Sequence, residues 1–342
     1  MRITTSMMTS RYMRNLNKSA NQMNYLNERA ATQMKFFKGS EDPVSAIKAY
    51  KLRREYRKTE QYDTNISDAN SFLTAAETNM MEIGESIKSV NELYIRGITG
   101  TMGKEEREAI AKELDNLQSS ILASLNGKFE DRYVLGGTSR DELPFTVHNN
   151  QLYYKGVNVN TGLDKDNQPV GANILEELAN EKSFVDLGLG LTFNGNKLAE
   201  DTAFNVSTSG IGFLGYGYGS ETDAAGDPIA NNIYTLIGNI KDELRKDDFS
   251  YENISPYLSK FEKQKNEVLV AVTDIGAKTN YLEFLQYRNE DNQINLNKKI
   301  LEVEKVDPAE AIVDFKMQEY AYNAALAMGN KILQNSFIDF MK

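Results

Sequence analysis

The chain carries one histidine, His148, and no cysteine. Thiolate nucleophiles, disulfides and thiolate metal sites are therefore excluded, and one imidazole cannot build the multi-histidine sites common for zinc. No serine near His148 shows a nucleophile motif, so His148 is expected to be an ordinary strand or turn residue. Two carboxylate pairs, Glu105-Glu106 and Asp247-Asp248, have the residue type for acid/base work or metal binding. Both fall at expected solvated helix ends with no converging partner, and Glu105-Glu106 suits the positive end of a helix dipole. Gly210-Ile211-Gly212-Phe213-Leu214-Gly215 matches G-x-G-x-x-G. A dinucleotide site needs a strand before it and a helix after it. Tyr216-Gly217-Tyr218-Gly219 follows instead and cannot start a stable helix, so a flexible surface or hairpin loop is expected. No catalytic residue, cofactor or metal follows from these residues, and the expectation is a protein that is not an enzyme.

Charge narrows the partners. Over 342 residues the net charge is −10, which leaves no basic excess to release counterions from nucleic acid. Arg53, Arg54, Arg57 and Lys58 form one basic cluster, read as a solvated helix face or an inter-subunit ion-pair partner. The longest purely apolar run, Val268 to Val272, is far too short to cross a membrane. The first sixteen residues show no apolar core of a secretory signal, which by itself would suggest the cytoplasm.

What must position any function is a set of helices. Apolar residues make up 40% of the chain, below the usual globular share, and Asn and Gln are abundant. That favours elongated helical layers. A first helix is expected from about Ser10 to Phe37, with Met13, Leu16, Ala20, Met23, Ala30, Met34 and Phe37 at 3/4 spacing around a polar Asn27. Gly39 to Pro43 breaks it, and Asp42 before Pro43 reads as a cap that starts a second helix. Ile66, Ala69, Leu73, Ala76, Met80, Ile83, Ile87, Val90 and Tyr94 then alternate three and four, as a long bundle seam requires. Gly97, Gly100 and Gly103 end that run. A third helix follows from about Lys104 to Leu125, closed by Asn126-Gly127.

After Lys128 the pattern changes. Tyr133 to Leu135, Phe145 to Val147 and Leu152 to Tyr154 read as short strands, the last two joined at Asn149-Asn150. Glu176 to Asn180 reads as a short helix. Helical periodicity returns at Ile233 to Leu244 and from Ser255 to Val306. There Ile254, Leu258, Phe261, Val268, Val272, Ile275, Leu282, Leu296, Ile300 and Val303 share one heptad frame, which Lys265, Thr279, Gln286, Asn289 and Gln293 interrupt. Asp307-Pro308 repeats the cap-and-restart device. The last helix places Ile312, Phe315, Tyr322, Leu326, Leu333, Phe337 and Phe340 on one face, with Ala321, Ala324, Ala325 and Gly329 thinning the adjacent one. The expected fold is mainly α with a β-rich insertion. It is an elongated, folded-back helical bundle with terminal coiled-coil helices and a small outer β domain. Residues 1–42 with 305–342 would form the terminal assembly domain, 43–138 with 232–304 the bundle, and 139–231 the outer domain.

The two ends carry a family resemblance. Asp307-Pro308-Ala309-Glu310-Ala311-Ile312-Val313-Asp314-Phe315, continuing through Met328, resembles the C-terminal signature of the flagellin family, and Phe337-Ile338-Asp339-Phe340 is similar to its apolar close. Met1 to Met8, Ser40-Glu41-Asp42-Pro43-Val44 and Phe129 to Thr138 resemble the family's hook–filament junction members more than its filament flagellins. Phe36-Phe37-Lys38 departs from the polar, Gly-containing stretch usual there. The resemblance covers residues 1–138 and 232–342 and leaves the middle unmatched.

That resemblance implies more than periodicity does. It implies a structural protein outside the cell, exported without a cleaved signal peptide through the flagellum's own type III channel with an export chaperone. It implies self-association into a ring between the proximal hook-associated junction protein and flagellin, and no nucleic acid or membrane insertion. Terminal helices that order on assembly would place Met13, Leu16, Met23, Met34, Ile312, Phe315, Tyr322, Leu326, Leu333, Phe337 and Phe340 at the assembly interface. A filament flagellin is the alternative, and a secreted coiled-coil adhesin or effector would explain the heptads but not the paired ends.

Overall fold

The structure, a computed structural model, describes residues 5–98, 103–139, 141–195, 197–247 and 249–338. Its helices are α1 Thr5–Thr32, α2 Pro43–Gly97, α3 Lys104–Leu125, α4 Ile174–Ala179, α5 Gly210–Leu214, α6 Ile233–Arg245, α7 Tyr251–Glu304 and α8 Pro308–Ile338. The chain divides into one compact unit of residues 1–60 and 290–342 and a second of residues 61–289. The architecture is mainly α with a β-containing insertion, as expected.

In the first unit both aspartate–proline restarts are caps. Asp42 Oδ1 accepts the Ser45 N–H at 3.0 Å, and Asp307 Oδ1 accepts the Ala309 N–H at 2.8 Å. Each satisfies a donor that the first helical turn leaves free. The bonds from Ser45 hold the Asp42 carboxyl below its ordinary range. The first helix stops five residues earlier than its periodicity implied. Gln33 takes φ +58°, and residues 33–35 pair with 304–306 instead. The Lys35 N–H donates to Glu304 O at 2.7 Å and the Val306 N–H to Gln33 O at 3.0 Å. Phe37 leaves the helical stripe to meet Tyr25 edge-on at 5.7 Å, and its N–H donates to Glu41 Oε2 at 2.9 Å.

The second unit holds the main core. Every member of the Ile66–Tyr94 seam is buried. Tyr94, Ile83, Ile87, Leu114, Ile237 and Phe261 pack with Phe145, Tyr154, Ile211 and Leu214 in one cluster. The core therefore continues from the helices into residues 139–231. A smaller cluster joins Ile66, Ala69 and Leu73 to Leu282, Leu285, Leu187 and Val206. Of the polar interruptions in the α7 frame, Thr279 Oγ1 donates to Glu77 Oε2 at 3.3 Å. Within the first unit, Gln293 donates to Thr59 O at 3.3 Å. These polar groups face α2 and are bonded to it, so they mark register along the seam.

The insertion is a set of short hairpins. β1 Lys128–Phe129 pairs with β2 Arg132–Tyr133, and β3 Phe145–His148, β4 Gln151–Tyr154 and β5 Val157–Asn158 form an antiparallel sheet. Asn149 and Asn150 take φ +49° and +63°, the left-handed pair that a two-residue hairpin requires. Two expectations are corrected. Val134 and Leu135 are not strand residues but sit in the core. Gly210 to Leu214 is not a surface loop but the buried helix α5. A Cβ on Gly210 would lie 2.5 Å from Phe145 Cζ, so close packing against an aromatic ring accounts for that glycine.

Candidate assembly surface

The terminal helices pair antiparallel. Tyr12 Oη donates to Ala325 O at 3.0 Å, Gln318 Nε2 to Ser19 Oγ at 2.9 Å, and Arg29 faces Asp314 at 3.6 Å. Two small residues, Ala311 and Gly329, let the backbones approach. A Cβ on Gly329 would lie 2.0 Å from Tyr12 Oη, and Ala311 and Gly329 are buried. The α1 positions 12, 16, 19, 23, 26 and 30 share the face turned to α8. The α8 positions 311, 315, 318, 322, 325 and 329 share the face turned to α1. Helical spacing puts each set on one stripe.

This geometry sorts the residues expected at the interface. Leu16, Met23, Phe315 and Tyr322 are half-buried and lie on the faces that α1 and α8 turn to each other. Met34 is half-buried beside the paired 33–35 and 304–306 segments. Met13, Ile312 and Leu326 are exposed at the flanks. Leu333 and Phe337 continue α8, and Phe340 lies outside the described residues. The pair leaves a second stripe uncovered that the sequence reading passed over. Val313, Met317, Tyr320 and Met328 are exposed, Met317 at 64% and Tyr320 at 78%. Their signal was in the sequence, at spacings of four and three that continue through Ala324, on a helix whose apolar residues fall on more than one face.

A clamp secures the two joints. Arg53 on α2 bonds Glu304 Oε2 at 2.5 Å, and Glu304 is buried. The hydrogen bond to Glu304 pushes the Arg53 guanidinium further up. Lys305 Nζ donates to Thr32 O at 2.9 Å. A groove of about 480 Å³ runs beside it, lined by Met34, Tyr56, Ile300 and Leu301. It gathers no catalytic constellation.

The chemistry-bearing residues fall elsewhere and singly. His148 ends β3 opposite Gln151 and meets the Tyr153 ring. Glu106 accepts the Gly103 N–H at 3.1 Å, satisfying one free donor at the start of α3. Asp247 pairs with Lys104 at 2.5 Å, and Asp248 lies outside the described residues. Among the described residues no group of three or more His, Cys, Asp or Glu could hold a metal ion. No described helix is long and apolar enough to cross a membrane.

Comparison with known proteins places this arrangement. Residues 3–139 match the bacterial flagellin N-terminal helical region, so the resemblance to the flagellin family read from the chain ends is borne out. The chain is also similar to flagellar hook-associated protein 3 of Escherichia coli (strain K12). The two are 22% identical over 330 residues, covering 95% of each. The fold matches a hook-associated flagellar protein of Vibrio parahaemolyticus with a TM-score of 0.58 and 20% identity, over 77% of this chain and 99% of that one. It also matches FlgL of Bacillus cereus with a TM-score of 0.51 and 17% identity, over 73% and 99%.

Proposed function

We propose that this chain is a structural component of the bacterial flagellum that joins hook to filament. Similarity to flagellar hook-associated protein 3 along 95% of the chain carries the reading. The paired terminal helices support it, because their outer apolar stripe has no cover among the described residues. Helices in proteins owe most of their stability to packing of an apolar face rather than to intrinsic propensity. Burying a Met or Leu contributes about 1.5–3 kcal/mol before ordering costs. Neighbouring copies that cover the stripe therefore stabilise the ends, and their ordering is coupled to assembly.

In this reading the copies form a ring between the proximal hook-associated junction protein and flagellin, outside the cell. The chain reaches that place uncleaved through the flagellar export path, escorted by an export chaperone, and performs no catalysis. Residues 1–42 with 305–342 make the assembly domain, 43–138 with 232–304 the bundle, and 139–231 the outer part. Filament flagellin is the second reading, favoured by the match over residues 3–139 alone. Deleting the coding sequence separates them. A junction role predicts bare hooks with flagellin released into the medium. A filament role predicts bare hooks with no other flagellin released, and normal filaments would contradict both.

A further inference from the structure

Two helix faces in this chain are exposed, apolar and opposite in charge. On α2 the outer positions 44, 47, 51, 54 and 58 fall at 3/4 spacing as Val44, Ile47, Lys51, Arg54 and Lys58. Tyr50 stands beside them at 68% exposure. Ile47, Tyr50, Lys51 and Arg54 line an open groove of about 370 Å³ together with Gly39, Pro43 and Ala46. Lys51, Arg54 and Lys58 form no ion pair among the described residues, and against the one exposed carboxylate beside them, Glu55, this face keeps a net positive charge.

On α7 the buried seam has an exposed counterpart. Positions 270, 273, 277, 280, 284 and 287 again alternate three and four, and all are exposed. Phe284 is 60% and Tyr287 70% exposed. Glu283 and Glu290 flank them one position before Phe284 and three after Tyr287, and exposed Arg288 and Asp291 lie four positions after Phe284 and Tyr287, so this end of the face carries three acids against one base. Neither glutamate has an ion-pair partner among the described residues. Aromatic side chains rimmed by acid on one helix fit an apolar groove rimmed by base on another. Flanking charges of this kind set register and partner choice between helices.

Resting on the assembled role proposed above, we infer that successive copies meet head to tail, with the Phe284–Tyr287 face of α7 on one copy seated in the Ile47–Arg54 groove of α2 on the next. The contact joins two different patches, so it is heterologous and propagates in one direction, as a closed ring or helical array requires. Two copies of either patch cannot meet face to face without opposing like charges. The basic cluster on α2 then has a function beyond solubility: it selects the acidic face of the neighbour and excludes its own.

The chain's lack of cysteine makes the test free of background. Tyr50→Cys and Tyr287→Cys are made separately in the full chain, expressed alone or together, and flagella are isolated and oxidised. The expected result is a disulfide-linked dimer only when both variants are present in one flagellum. Dimers from Tyr287→Cys alone, or none from the mixture although both variants are incorporated, would overturn the inference. Absence of the wild-type chain from flagella would remove the proposed function, and this contact with it. Arg54→Glu should lower the number of filaments per cell, each contact weakening by about 1.5- to 5-fold. Adding Glu290→Lys to the same chain should restore it. Failure of that restoration, with melting of the doubly substituted chain unchanged, would also count against the pairing.

Discussion

Met317→Glu should abolish assembly while leaving the free chain as stable as before. Met317 is 64% exposed on the outer stripe of α8. A surface substitution at such a position changes stability by no more than about 0.5 kcal/mol. Covering the exposed part of the side chain on assembly contributes about 1–2 kcal/mol, the corresponding share of the value for full burial. The glutamate loses that contribution. It also brings an unpaired carboxylate into the contact, which costs several kcal/mol more unless the helix stays undocked. A loss of about 3 kcal/mol or more weakens each docking step by more than about 100-fold, and the lesion recurs in every copy. Asn323→Glu makes the same charge change on the face that carries Lys316 and Glu319, and is the control. Thermal unfolding of both purified variants, filament counts on cells carrying them, and flagellin released into the medium give the answer. Wild-type filaments on Met317→Glu cells would refute the reasoning, as would a large drop in the melting temperature of the free chain.

Four further outcomes follow from the packing. Gly329→Ala sets a gain of about 1 kcal/mol in helix propensity against a Cβ only 2.0 Å from Tyr12 Oη. Displacing Tyr12 costs about 1–3 kcal/mol and its bond to Ala325 O about 1 more, so assembly should fall, with partial recovery in Gly329→Ala/Tyr12→Ala; equal filament numbers in all three would remove the close-approach account. Arg53→Ala leaves Glu304 buried without its cation, and faster hydrogen exchange at Lys35 and Val306 is expected, whereas unchanged protection would show that the backbone pairing needs no clamp. Asp115 is desolvated, which raises its pKa, but bonds from Lys241 and Arg245 outweigh this and hold it below the ordinary carboxylate range. Its contribution is present above that range and lost as pH falls through its lowered value; because Asp115 is 40% exposed and buried Lys241 keeps its bond to Gln118 Oε1, Asp115→Asn should lower stability at neutral pH by only about 0.5–1 kcal/mol and should flatten the acid limb of the stability curve; an unaltered limb would rule the group out. Phe145→Ala should destabilise residues 61–289 by about 3–5 kcal/mol, because the core passes through the insertion; a cost under 1 kcal/mol would mean the insertion packs independently.

The long seams were legible because burial imposes a period. Ile66 to Tyr94 alternates without error and every member is buried. The two aspartate–proline restarts were legible for a local reason, since Asp42 and Asp307 each satisfy donors within their own first turn. The end of α1 was not legible. Phe36 and Phe37 continue its pattern, but tertiary pairing of 33–35 with 304–306 takes the backbone out of the helix, and no local signal announces a partner some 270 positions away. The G-x-G-x-x-G stretch misled for a similar reason. Gly210 and Gly212 answer to close packing by Phe145 and Ala179 O, and Gly215 to the φ of +83° that ends α5. On α8 apolar residues occupy two faces, and sequence alone does not say which one α1 covers. The structure assigns Phe315 and Tyr322 to the face shared with α1 and leaves Met317 and Tyr320 outside.

Location decides the central claim. Antibody labelling of isolated flagella, viewed by electron microscopy, should place this chain in one narrow band where hook meets filament. Label along the whole filament, or none on the flagellum at all, would contradict it.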